Sequence, residues 1–180
     1  MQMKKVLVIS SSLRKGSNSD ILAKEFAKGA KDAGNDVEYI SLQGKNIAFC
    51  RGCLACQKKG KCVIKDDANE ITEKMKNAEV IVFATPIYYY EMCGQLKTML
   101  DRANSLYISE YKFREIYLLA TAAENEKTTP KNAINGIKGW IACFDNVKLK
   151  GTVFASASEP KETASNKVAL AEAYKKGSKV

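Results

Sequence analysis

Four cysteines, Cys50, Cys53, Cys56 and Cys62, fall within thirteen residues in the pattern C-x2-C-x2-C-x5-C. Thiolates at such short intervals can converge on one small volume. The fourth, reached across a Lys- and Gly-containing segment, can close a four-ligand cage. Soft sulfur donors in that arrangement favour an iron–sulfur cluster and, less well, zinc. Structural zinc sites more often pair two separated C-x2-C knuckles. The bacterial ferredoxin run has its fourth cysteine after three residues and before a proline, and gives it to a second cluster. Here the gap is five residues, Val63 follows, and no second set exists. The spacing therefore predicts a single 4Fe-4S cluster on all four cysteines. Free thiols in a surface loop and a redox-active dithiol pair are the alternatives. A structural disulfide suits a reducing cytosol poorly.

A second chemical feature lies near the N-terminus. Ser10-Ser11-Ser12-Leu13-Arg14-Lys15-Gly16-Ser17-Asn18-Ser19 packs hydroxyls, an amide and cations between an apolar run and a helical pattern. The N-terminus of a helix carries unpaired backbone N–H groups and a positive dipole, which suit a phosphate. Serine and asparagine also serve there as ordinary caps. The order Lys15-Gly16-Ser17 is not that of G-x-x-x-x-G-K-[ST], and G-x-G-x-x-G is absent, so nucleotide hydrolysis and a Rossmann pyrophosphate site are disfavoured.

A third is Ala84-Thr85-Pro86-Ile87-Tyr88-Tyr89-Tyr90. Pro86 predicts departure from sheet geometry directly after a strand. Three successive tyrosines offer flat amphipathic surfaces to a planar aromatic cofactor, or equally to the core or a subunit contact. Cys93 and Cys143, by their helical surroundings, read as packing residues, as does Trp140.

These loops need a scaffold. Val6-Leu7-Val8-Ile9, Val37–Ile40, Val80–Ala84, Ile116–Ala120 and Val147–Ala155 read as strands, the last interrupted by Gly151. Helical spacing links them: Ile21, Leu22, Phe26 and Ala30, ended by Gly34-Asn35; Asp66 to about Asn77; a stretch through Leu96 and Leu100; Ala133 to Ile141; and Val168 to Tyr174. Alternating strands and helices predict one α/β domain over 1–180. Its fold class is a flavodoxin-like three-layer sandwich: a five-stranded parallel sheet, order 2-1-3-4-5, with helices on both faces. The Cys-rich segment, about 46–65, is an insertion. Ligands bind such sheets at the carboxyl ends of the strands, so the loops after the first, third and fourth strands form the predicted site.

Composition sets limits. The 180 residues allow a full core, and 46% are hydrophobic. The net charge is +9, from 29 Lys+Arg against 20 Asp+Glu, and it is spread along the chain. That distribution reads as a solvated surface compatible with anionic nucleotides, with no nucleic-acid or membrane partner. A zinc-binding regulatory or nucleic-acid-binding module is the non-redox alternative, and the α/β pattern stands against it. After Lys4 and Lys5 only four strongly apolar residues precede Ser10, too few for a signal peptide, and no run spans a bilayer; a cytoplasmic location is expected. With no histidine, imidazole acid–base chemistry is excluded.

The run Ser12-Leu13-Arg14-Lys15-Gly16-Ser17-Asn18 resembles the phosphate loop of the NAD(P)H-dependent FMN reductases. Thr85-Pro86-Ile87-Tyr88, Gly94-Gln95-Leu96-Lys97 and Asp101-Arg102 resemble the same family's flavin loop and following helix. The cysteine segment, continuing through Gly60-Lys61-Cys62-Val63-Ile64-Lys65-Asp66-Asp67, is similar to the cluster motif of archaeal and bacterial iron–sulfur flavoproteins. The resemblance implies one FMN per subunit and a homodimer or homotetramer. It implies that Ser12, Arg14, Ser17, Asn18 and Ser19 hold the FMN phosphate, that Pro86, Ile87, Tyr88, Tyr89 and Tyr90 line the isoalloxazine, and that Thr121, Ala122 and Ala123 flank the ring. Ser11 and Ala123 stand where glycine is usual, which predicts a narrower backbone approach to the flavin. Two redox readings follow. One is an iron–sulfur flavoprotein coupling a one-electron donor such as ferredoxin, or NAD(P)H, to a small-molecule acceptor. The other is a cluster-free NAD(P)H:flavin, quinone or azo-compound reductase.

Overall fold

The structure, a computed structural model, describes residues 2–180. In chain order its elements are β1 (Lys5–Ser10), α1 (Asn18–Asp32), β2 (Asp36–Ser41), α2 (Ala55–Lys59), α3 (Asp67–Asn77), β3 (Val80–Tyr88), β4 (Glu91–Met92), α4 (Gly94–Arg102), β5 (Glu115–Ala122), α5 (Lys131–Ile141), β6 (Lys148–Ser156) and α6 (Lys167–Gly177). The long strands pair in parallel in the order β2-β1-β3-β5-β6. This is the expected flavodoxin-like arrangement, with β4 added as a two-residue antiparallel partner of β3.

The strands are apolar on both faces because helices cover both. Val6, Val8, Val80, Val82, Tyr117 and Leu119 face the α1 and α6 side. Leu7, Ile9, Ile81, Phe83, Ile116 and Leu118 join the core beneath α3, α4 and α5. The period of two along each strand thus serves two cores rather than a core and solvent. On the first face the covering helices touch through backbone. A Cβ on Gly29 would collide with the Tyr174 carbonyl oxygen, and one on Gly177 with that of Phe26. Only glycine allows α1 and α6 that approach.

Four expectations are corrected. Pro86 does not end the strand: β3 runs to Tyr88, with Pro86 in register opposite Thr121 of β5. The physical reason lies in β1. The Ser11 N–H donates to the Ala84 carbonyl at 2.9 Å, after which the chain leaves the sheet. Two residues beyond Ala84, Pro86 presents its missing N–H to that same side, where no strand needs it. Cys143 is exposed, not core, because α5 ends at Ile141 and the helical phase does not carry past it. Trp140 is only half-buried, although it packs edge-on to Phe83 and stacks with Phe113. The break expected at Gly151 is a bulge: Ile116 pairs with Leu149 and Tyr117 with Gly151, so Lys150 is the extra residue.

Candidate active site at the carboxyl edge of the sheet

Register brings the three predicted loops together. Ser10 pairs with Ala84, and Pro86 with Thr121, so β1, β3 and β5 end side by side. The loop after β1 enters α1 through Ser17. That residue caps the helix by accepting from the Asp20 N–H at 3.3 Å, while its hydroxyl lies 3.1 Å from that of Ser19. Ser12, Ser17 and Ser19 are all buried around this helix end. The Ser10 hydroxyl is buried without a hydrogen-bond partner. Hydroxyls gathered at a helix N-terminus, with free first-turn N–H groups, form a cradle that fits the phosphate of FMN.

Ser11 does not obstruct the cradle. Its hydroxyl donates to the Ala84 carbonyl at 2.7 Å and accepts from the Cys93 thiol at 3.2 Å. The side chain that replaces glycine is thus turned into the β3–α4 packing. Cys93 itself is buried at the start of α4, as a packing residue should be.

Asn18 and Arg14 are placed differently from the other loop residues. The Asn18 Nδ2 donates to the Glu159 carbonyl at 2.7 Å, and its Oδ1 accepts from the Thr163 N–H at 3.0 Å. Arg14, exposed, donates to the Ser158 carbonyl at 3.0 Å, and the Lys161 N–H to the Gly16 carbonyl at 2.9 Å. The loop after β6 is therefore strapped to the phosphate loop from Ser158 to Thr163. Glu162 folds that strap by accepting from the N–H groups of Ser158 and Glu159, which lower its pKa. Sequence reasoning missed this strap. Its one local signal was Glu162, three and four residues from the amides it caps, and nothing tied it to Asn18.

Asp20, in the first turn of α1, sits behind the cradle. Burial alone would raise its pKa, but hydrogen bonds from Lys24 and Tyr39 outweigh it and hold the carboxyl below its ordinary value. Burial, together with that carboxylate, pushes the Tyr39 phenol well above its own.

The tyrosines occupy a hairpin. Tyr88 and Glu91 pair across the β3–β4 turn, with Tyr89 and Tyr90 at its tip. Both tip residues have left-handed backbone, φ 50° and 65°, the conformation that a two-residue turn demands. Tyr89 is 100% exposed, so its ring makes no packing contribution. The Tyr90 hydroxyl donates to Glu124 at 2.8 Å, linking the hairpin to the loop after β5, and this hydrogen bond raises the phenol's pKa. Ile87, Thr121 and Ala122 are buried, Pro86 is half-buried and Ala123 is exposed. Between the phosphate loop and α4, a cavity of about 320 Å³ is lined by Leu13, Leu42, Ile47, Phe49 and Gly94.

The cysteine segment projects between β2 and α3. Cys50 and Cys53 are exposed, Cys62 is half-buried and Cys56 is buried in α2. The Gly52 N–H donates to the Cys50 sulfur at 3.4 Å and Asn104 Nδ2 to that of Cys56 at 3.3 Å. Arg51, Lys58, Lys59, Lys61 and Lys65 are exposed around them. Thiols with N–H donors and cations nearby are the donor set an iron–sulfur cluster takes. Among the described residues, however, no three of these groups are gathered around one point. Nor is any described helix long and apolar enough to cross a membrane.

The sequence pattern described as NADPH-dependent FMN reductase matches residues 4–132. An iron-sulfur flavoprotein of Methanosarcina thermophila is 36% identical over 162 residues, covering 86% of this chain and 85% of that protein. Iron-sulfur flavoprotein MJ1083 of Methanocaldococcus jannaschii is 39% identical over 104 residues, which is 58% of this chain and 54% of the relative. The chain thus spans about half the length of that relative. Among solved structures, an NAD(P)H:quinone oxidoreductase from Methanothermobacter marburgensis superposes with a TM-score of 0.76 over 98% of this chain and 96% of its own, at 15% identity. That likeness is one of fold.

Proposed function

This chain belongs to the NADPH-dependent FMN reductase family, and on that premise we propose that it is an FMN-dependent oxidoreductase of the iron–sulfur flavoprotein type. It passes electrons between NAD(P)H or a one-electron donor such as ferredoxin and a small-molecule acceptor. The observation that carries the reading is the cradle of buried hydroxyls at the start of α1, beside the ends of β3 and β5.

When bound, FMN supplies the exchange between two-electron and one-electron carriers, and a cluster supplies single-electron transfer. The chain's own residues bind and orient. Ser12, Ser17 and Ser19 offer hydroxyls to the phosphate. Arg14 adds positive charge at the loop rim. Asn18 holds the loop against Ser158–Thr163. Pro86 to Tyr90 and Thr121 to Ala123 border the ring, the backbone of Pro86 being free of a strand partner on the β1 side. No side-chain acid or base is required. Cys50, Cys53, Cys56 and Cys62 are the proposed cluster ligands, and the lysines around them offset its negative charge. A cytoplasmic location and a homodimer or homotetramer complete the reading, the exposed Phe49, Leu54, Tyr88 and Tyr107 being side chains that a second copy would cover.

A cluster-free NAD(P)H:quinone or azo-compound reductase is the second reading, favoured by the dispersed placement of the four thiols. Two measurements decide. Titration with FMN and with riboflavin should show tighter binding of the phosphorylated form; equal binding of both defeats the cradle. Iron and sulfide analysis of anaerobically prepared protein separates the two readings. Rapid bleaching of the flavin by NADPH or NADH without iron favours the second.

A further inference from the structure

Arg102 is the last residue of α4 and is 2% exposed. Its guanidinium spans two limbs of chain. Nη1 donates to the Ala48 carbonyl at 2.8 Å and to Asp66 Oδ2 at 2.5 Å. Nη2 donates to Asp66 Oδ1 at 2.7 Å and to the Ile64 carbonyl at 3.3 Å. Ala48 precedes the first cysteine of the quartet; Ile64 and Asp66 follow the last. All four thiols therefore sit on a loop whose neck is closed by one buried cation. Asp66 tightens the same neck by accepting from the Ala48 N–H at 2.9 Å. Asn69 adds a second tie, donating to the carbonyls of Cys62 at 3.2 Å and Ile64 at 2.8 Å.

One donor is left over. Arginine has five N–H groups, and here Nε is buried with no acceptor. A buried cationic N–H without a partner is costly, so an unpaired one calls for an explanation. The Asp66 hydrogen bonds hold Arg102 above the ordinary guanidinium value, and burial opposes them.

We infer that Arg102 is the positioning residue of the thiol loop: its fork locks the neck, and its unpaired Nε–H is the donor left for a sulfur of the loaded quartet. This deepens the reading of the quartet as a cluster site and rests on it. A buried cation and an N–H···S bond both favour the reduced, more negative form of a thiolate-bound cluster and raise its potential. Lysine would keep the charge but not the fork.

The test uses the FMN-loaded full chain, wild type, Arg102→Lys and Arg102→Gln, with FMN affinity as the check on folding. The first readout needs no iron: amide hydrogen exchange over residues 46–66. Both variants should exchange roughly tenfold faster there or more, with the α1 segment unchanged. Exchange equal to wild type in both overturns the lock. The second readout follows anaerobic reconstitution with iron and sulfide: cluster content, and midpoint potential followed by EPR. Arg102→Gln should load less cluster, at a more negative potential, and Arg102→Lys should recover part of the potential but not the loading. Equal loading at equal potential in all three overturns the Nε–sulfur contact. A wild-type protein that takes up no iron would end the cluster reading alone, since the exchange readout still decides the lock. Should Arg102→Gln not fold, Arg102→Lys carries both readouts.

Discussion

The carboxamide of Asn18 accepts from the backbone N–H of Thr163 at 3.0 Å, across 145 residues of chain. With its amide nitrogen on the Glu159 carbonyl, Asn18 is a strut between the phosphate loop and the strap after β6. Asn18→Ala leaves two backbone groups unpaired and should cost about 1–3 kcal/mol. The loss should already be present in flavin-free protein. Urea unfolding of the flavin-free chain measures it, and an unchanged midpoint there would show that the strut contributes nothing.

Ser17 both caps α1 and faces the cradle. Ser17→Ala should cost about 1 kcal/mol of stability through the lost cap. Ser12 caps no helix, and its hydroxyl accepts from the Arg14 N–H at a long 3.3 Å, so Ser12→Ala should cost less stability than Ser17→Ala. Both should weaken FMN more than riboflavin. A loss shared equally by the two flavins would place these hydroxyls away from the phosphate.

The left-handed backbone of Tyr89 costs roughly 1–2 kcal/mol in a residue with a side chain, and its ring touches nothing in the chain. Tyr89→Gly should therefore raise the thermal midpoint while weakening flavin or acceptor binding. Lower stability would mean that the ring packs after all, against a second copy.

Arg102 and Asp66 give a pH signature. Burial alone would raise the Asp66 carboxyl, but Arg102 and the N–H groups of Ala48 and Ala68 hold it below its ordinary value. A depressed carboxylate contributes its full stabilisation above the unfolded value, near 3.9. That contribution is lost as the pH falls through the lower native value. Wild type should lose stability steeply below about pH 4, with Asp20, also depressed, adding to the same limb. Asp66→Asn should be weaker at neutral pH by about 3–5 kcal/mol, since it leaves a buried guanidinium uncompensated. Its acid limb should be flatter. Denaturant midpoints from pH 3 to 7 compare the two.

Gly177→Ala should be among the most damaging single-methyl changes, because its Cβ would meet the backbone of Phe26 rather than a side chain that can move. Overpacking of this kind costs about 1–3 kcal/mol or more. Ala173→Gly, one turn earlier on the same buried face, deletes a fully buried methyl and should cost about 2 kcal/mol, from helix propensity and lost burial together. Thermal unfolding of the two variants tests the crossing.

Much of this molecule was readable from local pattern. Val6–Ile9, Val80–Ala84 and Ile116–Ala120 are too apolar for a half-exposed sheet, and strands separated by helical spacing leave little besides a parallel sheet covered on both faces. The serine-rich loop and the cysteine spacing likewise announced their chemistry through residue type alone. Pro86 misled, since whether its missing N–H matters depends on where β1 ends, a fact held by another strand. Cys143 misled because a helical phase was extended beyond the last residue that α5 pairs.

What the sequence by itself determined is the sheet, the order of its strands and the chemical types brought to its carboxyl edge, because these follow from periodicity and connection rules acting over short stretches. Only the tertiary structure decided that Ser11 turns its hydroxyl into Ala84, that Asn18 braces Thr163 and that Arg102 closes the neck of the thiol loop. Each of those rests on hydrogen bonds between residues 36 to 145 positions apart. A buried polar group takes whichever partner the packed chain brings within about 3 Å, and no local pattern records which partner that will be.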